Sequence, residues 1–219
     1  MRTRFHSRIE AGELLAQALK HYANRPDVLV LGLPRGGVPV GFAVAQRLRA
    51  PLDVLVVRKL GVPQQEELAM GAIASGGVRI MNDYVVEPLH IPRSAIDAVI
   101  QREQDELLRC ERSYRANRPA PVVSDRTVIL VDDGIATGAS MRAAIRALRA
   151  QHARRIVAAA PVIAASTYEE LQGEADEIVA VLTPTEFFSV GQWFRDFAPV
   201  TDAQVQVLLA TAANPQPIA

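Results

Sequence analysis

The sequence predicts an α/β fold: a parallel sheet flanked by helices. Three observations carry that expectation. Short continuous apolar runs recur along the chain, at Val28–Leu33, Asp53–Val57, Thr127–Val131, Arg155–Pro161 and Ile178–Val181. Runs of this kind between turn signals suit strands covered on both faces. Between them lie stretches of helical apolar spacing, and strands alternating with helices argue for a parallel sheet. Finally, Val128–Ser140 takes an apolar strand into two carboxylates, a glycine-containing turn and a helix start. Open α/β sheets place ligands at that end of a strand.

The elements follow in order. Ile9–Tyr22 sets Ile9, Leu14, Leu15, Ala18 and Leu19 near helical spacing, and Asn24 with Pro26 ends that helix. After the first strand, Pro34-Arg-Gly-Gly37 leads into a helix over Val38–Arg49. The second strand closes on Arg58 and Lys59. From Leu60 to Gly77 the pattern weakens, punctuated by Gly61, Pro63, Gly71, Gly76 and Gly77, which predicts a loose, mobile connection in which Glu66–Ile73 could hold a short helix or strand. Arg93–Tyr114 reads as a long helix with Ile96, Val99, Ile100, Leu107 and Leu108 on one face. Helices are expected at Ser140–Ala150 and Ser166–Gln172. Beyond Pro184, Phe187, Phe188, Trp193, Phe194 and Phe197 crowd into a non-periodic segment, and Thr211–Ala219 reads as a frayed tail.

The chain has 219 residues, enough for one large domain at roughly 150 residues per domain. The expected organisation is a single domain over residues 1–210, with a small hood formed by about 184–200 and the N-terminal segment. Lys and Arg together number 24, as do Asp and Glu, so the formal net charge is zero. A duplex-binding protein needs a basic surplus to displace counterions, so nucleic acid is disfavoured as a partner. No apolar run approaches the roughly 20 residues that span a bilayer. The single Cys110 forms no internal disulfide and no signal peptide is visible, which predicts a cytoplasmic setting. His6, His21, His90 and His152 are scattered without metal-ligand spacing.

The chemistry concentrates at Val128-Ile-Leu-Val-Asp-Asp-Gly-Ile-Ala-Thr-Gly-Ala-Ser140. Adjacent carboxylates accept hydrogen bonds from sugar hydroxyls. The following loop and helix N-terminus offer N–H groups and a favourable dipole to an anion. Such a site suits a ligand with hydroxyls on one side and a phosphate on the other. A Walker loop needs a Lys that is not present here. A receiver domain needs an Asp at the end of a later strand, and neither later strand offers one. A plain helix cap explains one acid but not the whole pattern.

This segment resembles the signature of type I phosphoribosyltransferases, which bind 5-phosphoribosyl-1-pyrophosphate (PRPP). The likeness extends from about Arg8 to Val200, and is closest to bacterial members of unassigned base specificity, some fused to hydrolase domains. It implies that Asp132 and Asp133 contact the ribose 2′ and 3′ hydroxyls and, mostly indirectly, a Mg²⁺ ion. It implies that Ala136, Thr137, Gly138, Ala139 and Ser140 form the 5′-phosphate loop. Arg35, Gly36 and Gly37 match the pyrophosphate loop, often with a non-proline cis peptide, expected here at Pro34–Arg35. Leu60–Gly77 becomes the loop that closes the site, with Arg58 and the catalytic Lys59 as its pyrophosphate cations and Glu66 and Glu67 as its acids.

The aromatic segment falls where the family recognises its base. Phe187, Phe188 and Trp193 are candidates for stacking, although a satellite core or a homodimer contact accounts for them equally. The expected activity is transfer of a phosphoribosyl group to a nitrogenous base or related acceptor. A non-catalytic PRPP-binding regulator on the same fold is the alternative.

Overall fold

The computed structural model describes residues 4–115 and 118–213. Five parallel strands form the main sheet: β1 (Val28–Gly32), β2 (Leu52–Val54), β6 (Thr127–Val131), β7 (Arg155–Val162) and β8 (Glu177–Leu182), in the order β2-β1-β6-β7-β8. A second, antiparallel sheet holds β3 (Val57–Val62), β4 (Gln65–Ala74) and β5 (Val78–Met81). The helices are α1 (Arg8–Ala18), α2 (Gly37–Leu48), α3 (Asp83–Val86), α4 (Arg93–Arg115), α5 (Ala139–Ala150), α6 (Ala165–Leu171) and α7 (Asp202–Ala213). None of the described helices is long and apolar enough to cross a membrane.

The apolar runs become central strands because both their faces are covered. Every residue of β1 and β6 is buried. Their period of two divides them between two cores. Val28 and Val30 of β1 with Ile129 and Val131 of β6 join residues of α1, α2, α4 and α7. Leu29, Leu31, Val128 and Leu130 face the other way, onto Met141, Ala144, Ile145 and Leu148 of α5. Each such side chain contributes about 1.5–3 kcal/mol when fully buried. The chain runs from β1 outward to β2 on one side and returns to β6 on the other. A crevice therefore opens at the C-terminal ends of β1 and β6, where the strand order reverses.

Three expectations need correction. The run Asp53–Val57 is not one strand. The ladder with β1 ends at Val54, and Val57 already belongs to β3 of the second sheet. An unbroken apolar run carries no mark of a change of sheet. Arg58 and Lys59 consequently sit near the start of β3, not at the end of a main-sheet strand.

The segment 60–77 is not loose. It is the body of the antiparallel sheet, with Lys59 opposite Ala72 and Ile73 opposite Arg79. Its glycines mark close backbone approach. A β-carbon on Gly61 would lie 2.6 Å from the Glu66 carbonyl, and one on Gly71 would lie 2.4 Å from that of Ile80. Register shifts on either side of Gly61 also break the alternation that would have marked a strand.

Lastly, residues 211–213 are not frayed but end α7, which packs Val205 and Leu209 into the core. The rest of the expected tail lies outside the described residues.

Candidate functional site

Two loops meet at the switch point. The first follows β1, whose extension is held by Leu33 donating its N–H to the Val131 carbonyl at 2.8 Å. The Pro34–Arg35 peptide is cis, as the family resemblance led us to expect. Gly36 and Gly37 then start α2 without any side-chain cap. Both glycines are required by the second loop. A β-carbon on Gly36 would lie 2.0 Å from Asp133 Oδ2, and one on Gly37 would lie 2.4 Å from the Val131 carbonyl oxygen. A larger residue at Gly37 would drive the two loops apart, and one at Gly36 would displace the Asp133 carboxylate.

The second loop follows β6. The Asp133 N–H donates to Asp132 Oδ1 at 2.8 Å. Ile135 bridges to the strand next door, donating to the Val162 carbonyl at 2.9 Å and accepting from the Ala164 N–H at 2.9 Å. Ala136, Thr137, Ala139 and Ser140 are exposed. Gly138 takes φ +74°, the left-handed region that favours glycine, and opens α5 without a side-chain cap. The first-turn N–H groups of a helix have no partners within it, so an uncapped start is suited to an anion.

Burial shapes the acid pair. Desolvation pushes Asp132 well above the ordinary carboxylate range, and the neighbouring Asp133 charge adds to the rise. Asp133 is also raised by desolvation, against the pull of Arg8. Arg8 Nε donates to Asp133 Oδ2 at 2.8 Å, and Nη1 donates to the Ala198 carbonyl at 2.9 Å. The guanidinium stacks 3.9 Å from the centre of the Phe197 ring. Sequence reasoning did not single out Arg8 as a site residue. It lies 125 positions from Asp133, and a lone Arg opening a helix carries no local signal of a distant partner.

The predicted cations divide. Arg35 turns toward Asp202 at the start of α7, 3.9 Å away, and lines a cavity of about 260 Å³ with Arg58, Arg109 and Tyr114. The Tyr114 hydroxyl donates to Asp202 at 2.9 Å, and burial followed by that carboxylate raises its pKa. Arg58 is bound to α4, donating through Nε and Nη2 to Glu103 Oε2 at 2.9 and 2.7 Å. Lys59 shares a cavity of about 310 Å³ with Ala139 and Ser140 at the start of α5. Glu66 is exposed and faces Arg102 at 3.7 Å; the Glu67 side chain lies outside the described set.

The aromatics form a separate apolar cluster. Phe5, Phe194 and Val162 make its centre, with Phe187, Trp193 and Phe197 packed around them. Phe187 and Trp193 meet in a tilted pair, with centroids 6.2 Å apart and ring planes at 37°. The buried Trp193 indole N–H has no acceptor among the described residues. Phe188 is 87% exposed. The strand edge of Phe5 reaches the same cluster: its N–H donates to the Trp193 carbonyl at 2.8 Å. The N-terminal segment and the aromatic segment thus build one small lobe beside the acid pair.

Comparison with known proteins agrees with this geometry. The family model described as "Phosphoribosyl transferase domain" matches residues 6–191. Two Mycobacterium tuberculosis proteins, from strains H37Rv and CDC 1551, carry the name "Putative phosphoribosyl transferase". Each is 47% identical over 208 residues, covering 95% of this chain and 47% of the relative. The chain therefore spans about half the length of these curated relatives. A crystal structure of TT1426 from Thermus thermophilus superposes with a TM-score of 0.83 at 41% identity, covering 94% of this chain and 97% of that one.

Proposed function

The chain belongs to the phosphoribosyl transferase domain family, and from that premise we propose that it binds PRPP with Mg²⁺ and transfers the phosphoribosyl group to a nitrogenous base or related acceptor. The observation that carries this reading is the meeting of two uncapped loops across one acid pair, with Gly36 in van der Waals reach of Asp133. Asp132 and Asp133 take the ribose hydroxyls. Residues 136–140 take the 5′-phosphate. Gly36 offers its backbone N–H to the pyrophosphate, whereas the expected second donor, Gly37, already gives its N–H to the Leu33 carbonyl at 3.0 Å; Arg35 and Lys59 are the cations able to approach it. Breaking the ribose C1–oxygen bond sends the electron pair to pyrophosphate, while the acceptor nitrogen bonds to C1. The protein's part is orientation, charge stabilisation and exclusion of water.

The donor set fits Mg²⁺. The available protein ligands are hard carboxylate oxygens, and the described residues hold no group of three or more metal-binding side chains. A hard ion completed by substrate oxygens and water is the usual Mg²⁺ arrangement. Asp132 and Asp133 would hold it, and when bound it would neutralise the departing pyrophosphate.

The position immediately before Thr137-Gly138 is Ala136. A methyl group accepts no proton, so acid–base help to the acceptor, worth about 10²–10⁴-fold where it operates, is absent from this loop. Hypoxanthine and guanine are therefore expected to be poor acceptors. The deciding experiment incubates the chain with Mg²⁺ and PRPP against a panel of bases and reads pyrophosphate release. Efficient turnover of hypoxanthine contradicts the acceptor reading. PRPP binding without release from any base favours a regulator on the same fold, acting in the cytoplasm.

A further inference from the structure

Two side-chain donors hold carbonyls of the loop between β6 and α5. On α6, the buried Thr167 donates its hydroxyl to the Ala136 carbonyl at 2.5 Å. From the first turn of α5, Arg142 donates Nη1 to the Thr137 carbonyl at 2.6 Å. Each donor is itself fixed. Thr167 Cγ2 packs so closely on Gly138 that a β-carbon there would lie 2.8 Å from it. Arg142 is held by Glu174 through Nε at 2.8 Å and by Glu170 through Nη2.

In a trans peptide the C=O and the following N–H point in opposite directions. The only cis bond among the described residues is Pro34–Arg35. Anchoring the Ala136 carbonyl on Thr167 therefore turns the Thr137 N–H the other way. Anchoring the Thr137 carbonyl on Arg142 does the same for the Gly138 N–H. A flip of either peptide would replace a donor with a carbonyl dipole facing the anion. Free rotation is a real hazard here, because Gly138 tolerates both signs of φ.

We infer that Thr167 and Arg142 are positioning residues of the 5′-phosphate loop, holding the 136–137 and 137–138 peptides with their N–H groups turned toward the phosphate. This rests on the phosphoribosyl reading of the site. Arg142 acts by geometry: two carboxylates already occupy its guanidinium, so it is not a phosphate cation. The pairing ties α6, which carries none of the sequence signature, to the preorganisation of the loop.

The test is calorimetric titration of the full chain with ribose 5-phosphate and, separately, with Mg²⁺–pyrophosphate. Thr167→Val keeps the γ-methyl against Gly138 and removes only the hydroxyl. It should weaken ribose 5-phosphate about tenfold or more, since the Ala136 carbonyl loses the donor that fixes its direction and the 136–137 peptide is free to turn. Mg²⁺–pyrophosphate affinity should stay unchanged, and Thr167→Ser should restore ribose 5-phosphate binding. Arg142→Met should act in the same direction, and carries the test should Thr167→Val fail to fold. Unchanged ribose 5-phosphate affinity overturns the inference. Equal weakening of both ligands, or no rescue by Ser, overturns it too by exposing a merely structural role. A wild-type chain that binds neither ligand fells the phosphoribosyl reading itself, which separates the two failures.

Discussion

The two carboxylates of Asp132 and Asp133 work against the fold that carries them. Desolvation raises both, so the folded chain holds protons that the unfolded chain has released. Stability from this pair is then fully present below the ordinary carboxylate range and is lost as pH rises through the raised values. Asp132→Asn removes a desolvated charge. It should raise the unfolding temperature at neutral pH and narrow the difference on acidification, while weakening PRPP binding; thermal melts across pH beside calorimetry check both halves. Arg8 has the opposite sign. Its pair with Asp133 is largely buried, the side chains being 11% and 13% exposed. Arg8→Met should destabilise by about 1–3 kcal/mol at neutral pH, because it leaves the carboxylate short of a donor. Asp133→Asn in the same chain should recover much of that loss in a double-mutant cycle. The glycines differ by what their β-carbons would strike. Gly36→Ala meets a side-chain carboxylate that can turn aside, so ligand binding should suffer more than stability. Gly37→Ala meets backbone, and overpacking of that kind costs about 1–3 kcal/mol in a denaturation curve.

The antiparallel sheet is tied to helices on two sides. Arg58 of β3 is bound to Glu103 of α4, and Gln151 beyond α5 donates Nε2 to the Ser75 carbonyl at 3.0 Å. Arg58→Ala should therefore lower stability by about 1–3 kcal/mol, since the buried Glu103 loses both donors on its Oε2 and keeps Arg102 on its Oε1. If Arg58 served only as a pyrophosphate cation, the same variant would lose affinity with an unchanged melt. Hydrogen exchange gives an independent reading of the element. The paired amides of Val57–Leu60 and Gly71–Ala74 should exchange slowly in the free protein, and the Gln64 amide in the turn quickly. Fast exchange throughout 57–81 would restore the picture of a loose loop. The segment escaped sequence reasoning because its β-carbon-free positions, which permit tight strand pairing, read locally as punctuation.

For the molecule as a whole, ligand and fold are linked by mass action. Mg²⁺–PRPP at about a hundredfold above its Kd should stabilise the chain by about 2.7 kcal/mol. The chain with both Asp132→Asn and Asp133→Asn should show no such gain in a thermal shift. Much of this architecture was legible in the sequence. β1, β6, β7, β8 and the helices α2, α5 and α6 fall within a residue or two of expectation, whereas α1 ends at Ala18, four residues before its expected end; continuous burial on both faces leaves an apolar run that needs no context. The placing of the acid pair at a strand end and of the following turn at a helix start was legible for a related reason: these parts are contiguous in the chain, so local spacing preserves their geometry. Other features depend on residues far apart in sequence. The contact of Gly36 with Asp133, the Arg8 ion pair, the hold of Thr167 on Ala136 and the burial of α7 against α2 and α4 all join distant segments. Periodicity records which face of an element is apolar. It carries no record of which partner covers that face, and that choice was made only when the chain folded.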